Sequence, residues 1–169
     1  QQIAVRSFIG FGIPLDKNGV IPFDQLYYSG GANSVRGWRQ RTLGPGSFVD
    51  ESNTIDRLGE IKIEANIEYR FPITSIFKGA LFIDAGNVWT KEADEDPDNF
   101  DPDFQFNRFY KEIAVSPGLG LRFDFDFFLF RFDVGVPLKQ AYNRTKWKME
   151  YNSERNIGYL IAGKPNNFE

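Results

Sequence analysis

Polar and apolar residues alternate along much of this chain with a period of two. From 59 to 71, Glu60, Lys62, Glu64, Asn66, Glu68 and Arg70 are polar, while Ile61, Ile63, Ala65, Ile67, Tyr69 and Phe71 are apolar. Successive side chains of a strand point to opposite faces, so this spacing predicts a two-faced strand. The same rule predicts strands over 3–15, 79–89, 113–127, 130–138 and 155–163. Pro72 ends the second strand, because proline cannot donate to a ladder. The phase flips near Phe127-Phe128, which marks a tight turn. In the last strand Leu160 and Ala162 interrupt the polar face, and Gly158, Gly163 and Pro165 weaken the pairing.

The connections sort by length. Long polar stretches, about 16–58, 90–111 and 139–154, follow the first, third and fifth strands; short turns follow the second and fourth. Outer-membrane barrels have long extracellular loops and short periplasmic turns. A soluble β-sandwich has no reason to sort its loops by side, although it could share the alternation. The reading is therefore all-β, an antiparallel transmembrane β-barrel. Six strands cannot close one, since the smallest membrane barrels have eight. An open edge in lipid leaves unpaired backbone groups at several kcal/mol each, so further strands are expected upstream of Gln1. The chain enters its first strand without a leader pattern, as a fragment would.

Composition narrows the chemistry. The 169 residues carry 20 basic and 23 acidic side chains, with no histidine and no cysteine. Histidine-based hydrolytic triads and thiolate sites are excluded within this chain. An isoelectric point near 5.1 argues against nucleic acid as a partner. Aromatics reach 17%, yet mean hydropathy is -0.40. That combination fits strands with one face in lipid and one in water. The acidic run from Asp94 to Asp103 lacks the turn glycine and closing glutamate of an EF-hand, so it reads as a solvated loop. Neither a metal nor a cofactor is expected, and the reading is non-enzymatic. Trp89 and Phe109, near strand ends, suit an interfacial aromatic girdle or core packing.

Within the first long loop lies Gly30-Gly31-Ala32-Asn33-Ser34-Val35-Arg36-Gly37-Trp38. On its own a loop arginine reads as a solvated surface side chain. The flanking glycines argue instead for close approach of the backbone to something else. Asp84 and Glu68 lie on polar faces, as does Arg122, which Asp124 or Asp133 could balance. Gly86 leaves room beside Asp84. Gly118 and Gly120 leave a groove in which a loop backbone could rest.

Val35-Arg36-Gly37-Trp38 resembles the Val-Arg-Gly-aromatic motif of the BamA/TamA-type outer-membrane assembly and translocation superfamily. Phe82-Ile83-Asp84-Ala85-Gly86 is similar to its Phe-x-Asp-x-Gly strand motif, and Gly120-Leu121-Arg122 to its glycine-x-arginine motif. The three occur in the family's order. The resemblance implies a sixteen-stranded barrel preceded by periplasmic POTRA domains, this chain holding about the last six strands. It implies that the loop folds into the lumen and sets Arg36 against Asp84 and Glu68. The implied function is the folding and insertion of β-barrel proteins in the bacterial outer membrane. Partners would be outer-membrane lipid, unfolded barrel clients and accessory proteins of an assembly complex. Weak pairing of the last strand would open a lateral gate. The alternative is a two-partner secretion transporter or passive channel, which would use the same loop.

Overall fold

The computed structural model describes residues 1–14, 21–48, 56–91, 102–125, 128–141, 147–152 and 157–162, the last two stretches by their backbone pairing. Five strands form one antiparallel sheet: β1 (Gln2–Phe11), β2 (Ile61–Pro72), β3 (Phe77–Trp89), β4 (Ala114–Phe125) and β5 (Phe128–Gly135). They pair in sequence order, β1-β2-β3-β4-β5. A second antiparallel pair joins β6 (Trp147–Asn152) to β7 (Ile157–Ala162). A single helical turn, α1 (Phe109–Glu112), precedes β4.

The alternating segments all became strands, and Pro72 closes β2. The turn to β3 is short, with the Ile73 and Thr74 amides donating to the Phe77 carbonyl. β4 and β5 register on a Phe125–Phe128 pair, and the two residues between them lie outside the described ones. One expectation fails. The stretch 139–154 is not a continuous loop, because residues 147–152 form β6, giving seven strands among the described residues rather than six. Trp147, Met149 and Tyr151 alternate with Lys148, Glu150 and Asn152, a period-two signal masked by the polar residues around it. Most of the acidic run, and Gly163 and Pro165 of the expected gate strand, lie outside the described residues.

The sheet is inverted relative to a water-soluble one. Its inner face buries charge: Glu64, Glu68, Asp84 and Arg122 are all buried. Its outer face exposes Ile67, Leu81, Ile83, Leu119, Phe130, Phe132 and Val134. Toward the short-turn ends, rings crowd the outer face. Phe77 and Phe123 have centroids 4.9 Å apart, and Phe125 and Phe128 stack at 4.7 Å. This band, not Trp89, occupies a girdle's place. Trp89 is fully buried at the long-loop end of β3, its indole N–H donating to Glu112 Oε2 at 2.7 Å with Phe104 edge-on. Phe109 tilts against the same Phe104, 5.5 Å away. Core packing therefore accounts for Trp89, because a buried indole needs an acceptor and α1 supplies one.

Candidate functional site

The register sets inner-face residues in rows across the strands. Arg6, Asn66, Asp84 and Ser116 stand opposite one another on β1 to β4. The adjacent row carries Ala4, Glu68, Phe82, Gly118 and Gly135. The next runs through Arg70, Ala80, Gly120 and Asp133. Acids from three rows thus face one space.

The first long loop enters that space. Residues 31–38 close on themselves, with the Gly31 amide donating to the Trp38 carbonyl at 2.8 Å. Gly30 and Gly31 hold φ of 93° and 95°, a region that L side chains rarely adopt. A Cβ at Gly30 would also lie 3.1 Å from the Arg39 carbonyl carbon. Val35 anchors the turn in a small apolar cluster with Leu43, Ala114 and Ala141, against which Trp38 packs. Valine and tryptophan thus hold the loop while Arg36, between them, faces the acids.

Arg36 makes a forked contact with Asp84. Nε donates to Oδ2 at 2.7 Å and Nη2 to Oδ1 at 2.9 Å, while the Arg36 backbone amide adds a third bond to Oδ2 at 3.1 Å. Nη1 donates to Glu68 Oε2 at 2.7 Å and lies 3.4 Å from Asp133 Oδ2. The guanidinium carbon sits 3.4 Å from the centroid of the Phe82 ring. Such two-pronged, charge-assisted bonds fix orientation as well as adding energy. Glu68 is shared: its Oε1 accepts from Arg122 at 3.0 Å and Arg70 at 2.7 Å. Arg122 also donates to Asp133. With Arg131 on Asp133 as well, four arginines and three acids form one network, which offsets the desolvation of its buried members.

The structure brings Val35, Arg36, Gly37, Trp38, Asp84, Glu68 and Arg122 into one region, but Gly118 and Gly120 act differently from expectation. Gly118 makes room for a ring, since a Cβ there would lie 2.5 Å from Phe82 Cε2. Gly120 accommodates Asp133 and Arg122, and Gly86 accommodates Glu64, whose Cγ would lie 2.7 Å from an added Cβ. Side chains, not loop backbone, fill those spaces. The loop backbone rests on Gly135 instead, where a Cβ would approach Arg36 C at 2.8 Å. Gly37 in turn meets β4: a Cβ there would lie 2.9 Å from that of Ser116.

Sequence reading missed a second carboxylate centre. Glu64 Oε1 accepts from Ser29 Oγ at 2.8 Å and from Ser34 Oγ, with Lys62 Nζ 3.0 Å away. Ser34 also accepts the Gly30 amide at 2.9 Å. Glu64 was legible as a polar-face residue; its partners depend on the path of the loop.

The Omp85 superfamily domain matches residues 1–155. The chain belongs to the Omp85 superfamily. Its solvent-inverted sheet is therefore part of an outer-membrane barrel wall, with lipid outside and the polar lumen inside. A stretch of 81 residues is 35% identical to the outer membrane protein assembly factor BamA of Neisseria meningitidis serogroup B, covering 45% of this chain and 10% of that protein. The crystal structure of BamA from Haemophilus ducreyi lacking POTRA domains 1–3 superimposes with a TM-score of 0.60 at 22% identity. That match covers 82% of this chain and 28% of the BamA chain, and it shows the barrel fold. The chain thus spans only a small part of the proteins it matches.

Proposed function

We propose that this chain is the C-terminal part of the barrel of an outer-membrane assembly factor, which folds and inserts other β-barrel proteins. The observation that carries the reading is the saturation of Arg36 by Asp84 and Glu68 inside an Omp85 barrel. The role is non-enzymatic: what it requires is a wall of defined shape and an edge to which client strands add by β-augmentation. Arg36 pins the inserted loop, and the pinned loop holds β2, β3 and β5 in mutual position. Clients are unfolded barrel proteins, with lipid around the wall and accessory proteins of an assembly complex alongside. The similarity to a protein named as an assembly factor supports this over a secretion transporter or passive channel.

The test uses the full-length protein in cells depleted of the resident copy. Outer-membrane levels of several unrelated barrel proteins read assembly. R36A, inserted at the parental level, is expected to lower them all. Unchanged levels would remove the pin from the mechanism. Loss of one exported substrate, with barrel levels intact, would favour the transporter.

A further inference from the structure

β1 and β5 share no ladder, for three strands lie between them. Four strand spacings of ~4.8 Å put them ~19 Å apart around the wall. That gap is too wide for a side chain of one to reach a side chain of the other. Along the sheet, each is held to the other only through β2, β3 and β4.

The loop tip supplies a second connection. Arg6 of β1 donates through Nη2 to the Asn33 carbonyl at 2.5 Å and through Nε to Asn66 Oδ1 at 2.9 Å. Arg131 of β5 donates through Nη2 to the Ala32 carbonyl at 2.8 Å and to Asn33 Oδ1 at 3.0 Å. Asn33 therefore accepts from both outermost strands of the sheet, by its backbone on one side and its side chain on the other. The charges are balanced locally. Arg6 lies 3.4 Å from Glu64 Oε2, and Arg131 Nε lies 3.1 Å from Asp133 Oδ2. In each fork Nη2 is the donor that reaches the tip. Arg36 does not duplicate this link, since its acids lie on β2, β3 and β5.

We propose that Ala32-Asn33 is a strut across the lumen, held at one end by Arg6 and at the other by Arg131, which fixes the separation of β1 and β5 and thereby the curvature of this part of the wall. Arg6, Asn33 and Arg131 are positioning residues. Their role is independent of what the barrel assembles or transports.

The distance itself is the readout. In the intact protein in lipid nanodiscs, spin labels go on V5C and F132C, two outward-facing exposed positions of this cysteine-free chain. Pulsed dipolar spectroscopy then gives the β1–β5 distance distribution. A second pair, I67C and L119C, reports β2 to β4, which the strut does not join. R6A and R131A are each expected to broaden the first distribution and shift it to longer distance, leaving the second unchanged. The double variant should go no further than either single, because a strut cut at one end transmits nothing. Single variants with the parental distribution, or a double variant that adds the two shifts, would overturn the proposal. Should an arginine variant fail to insert, N33L removes Oδ1 while keeping both charges. It is expected to broaden the same distribution, and an unmoved one counts against the strut.

Discussion

Ile83 and Asp84 are neighbours on β3 and live in opposite solvents. Ile83 points outward and is 54% exposed, while Asp84 points inward and is fully buried. In a water-soluble sheet the aliphatic side chain would be inside and the carboxylate outside. Here the buried side is polar because water and a folded-in loop fill it, and the exposed side is apolar because lipid covers it. The two faces are consequently held by different physics. Outside, single apolar side chains face lipid with little specificity among them. Inside, each charge has named partners, and removing one strands the others.

The largest effect is therefore expected inside. Asp84→Ala leaves Arg36 without its fork and the Arg36 amide without that acceptor, and leaves Asn66 Nδ2 only the Ser34 carbonyl. Breaking a buried pair from one side costs ~3–5 kcal/mol. Urea unfolding in detergent or lipid measures it, and Arg36→Ala should cost a similar amount. Because the two share one interaction, the double variant should lose clearly less than the sum of the singles. Strict additivity would mean that the pair contributes nothing as a pair.

The next effect tests the outer face. Ile83→Arg is expected to cost ~2–4 kcal/mol, the penalty for arginine on the lipid side near the midplane. At an exposed position in water the same change would stay within ~0.5 kcal/mol. A loss that small would place Ile83 in water and undo the inside–outside contrast.

The contrast is legible in the sequence, since period-two alternation assigns each strand residue to a face. β2 came out within two residues of its predicted bounds for that reason. What alternation cannot supply is register. Gly118 stands opposite Phe82 only because β3 and β4 pair as they do, and that pairing decides that a ring fills the space. Likewise Glu64, Asn33, Arg6 and Arg131 were visible as polar residues, but their partners depend on where a long loop travels. The meeting of Arg36 with Asp84 and Glu68 was implied by family resemblance, not by spacing. Trp89 was ambiguous because a tryptophan near a strand end suits either a membrane interface or a covered core; the deciding neighbours, Phe104 and Glu112, come from the long loop that follows β3 and from α1, and their approach depends on how that loop folds back.

That loop carries the smallest expected effect, one that contrasts with the lumen by being local and titratable. Beside β3, Asp103 accepts from Arg108 Nη2 at 2.5 Å and Gln105 Nε2 at 3.0 Å. Partial burial alone would raise the carboxyl, but the Gln105 bond and the Arg108 charge outweigh it and hold it below its ordinary 3.8. A carboxylate with a depressed pKa stabilises the fold above its unfolded value and loses that contribution as pH falls through the folded one. The segment should therefore keep its protection against hydrogen exchange through the mildly acidic range and lose it only below pH 3.8. Asp103→Asn keeps an acceptor but cannot ionise. It should lower protection slightly at neutral pH and abolish the acid-dependent loss, while the Arg36 network stays unaffected. An acid transition that persists unchanged in that variant would assign the titration to another group and separate Asp103 from the cover over Trp89.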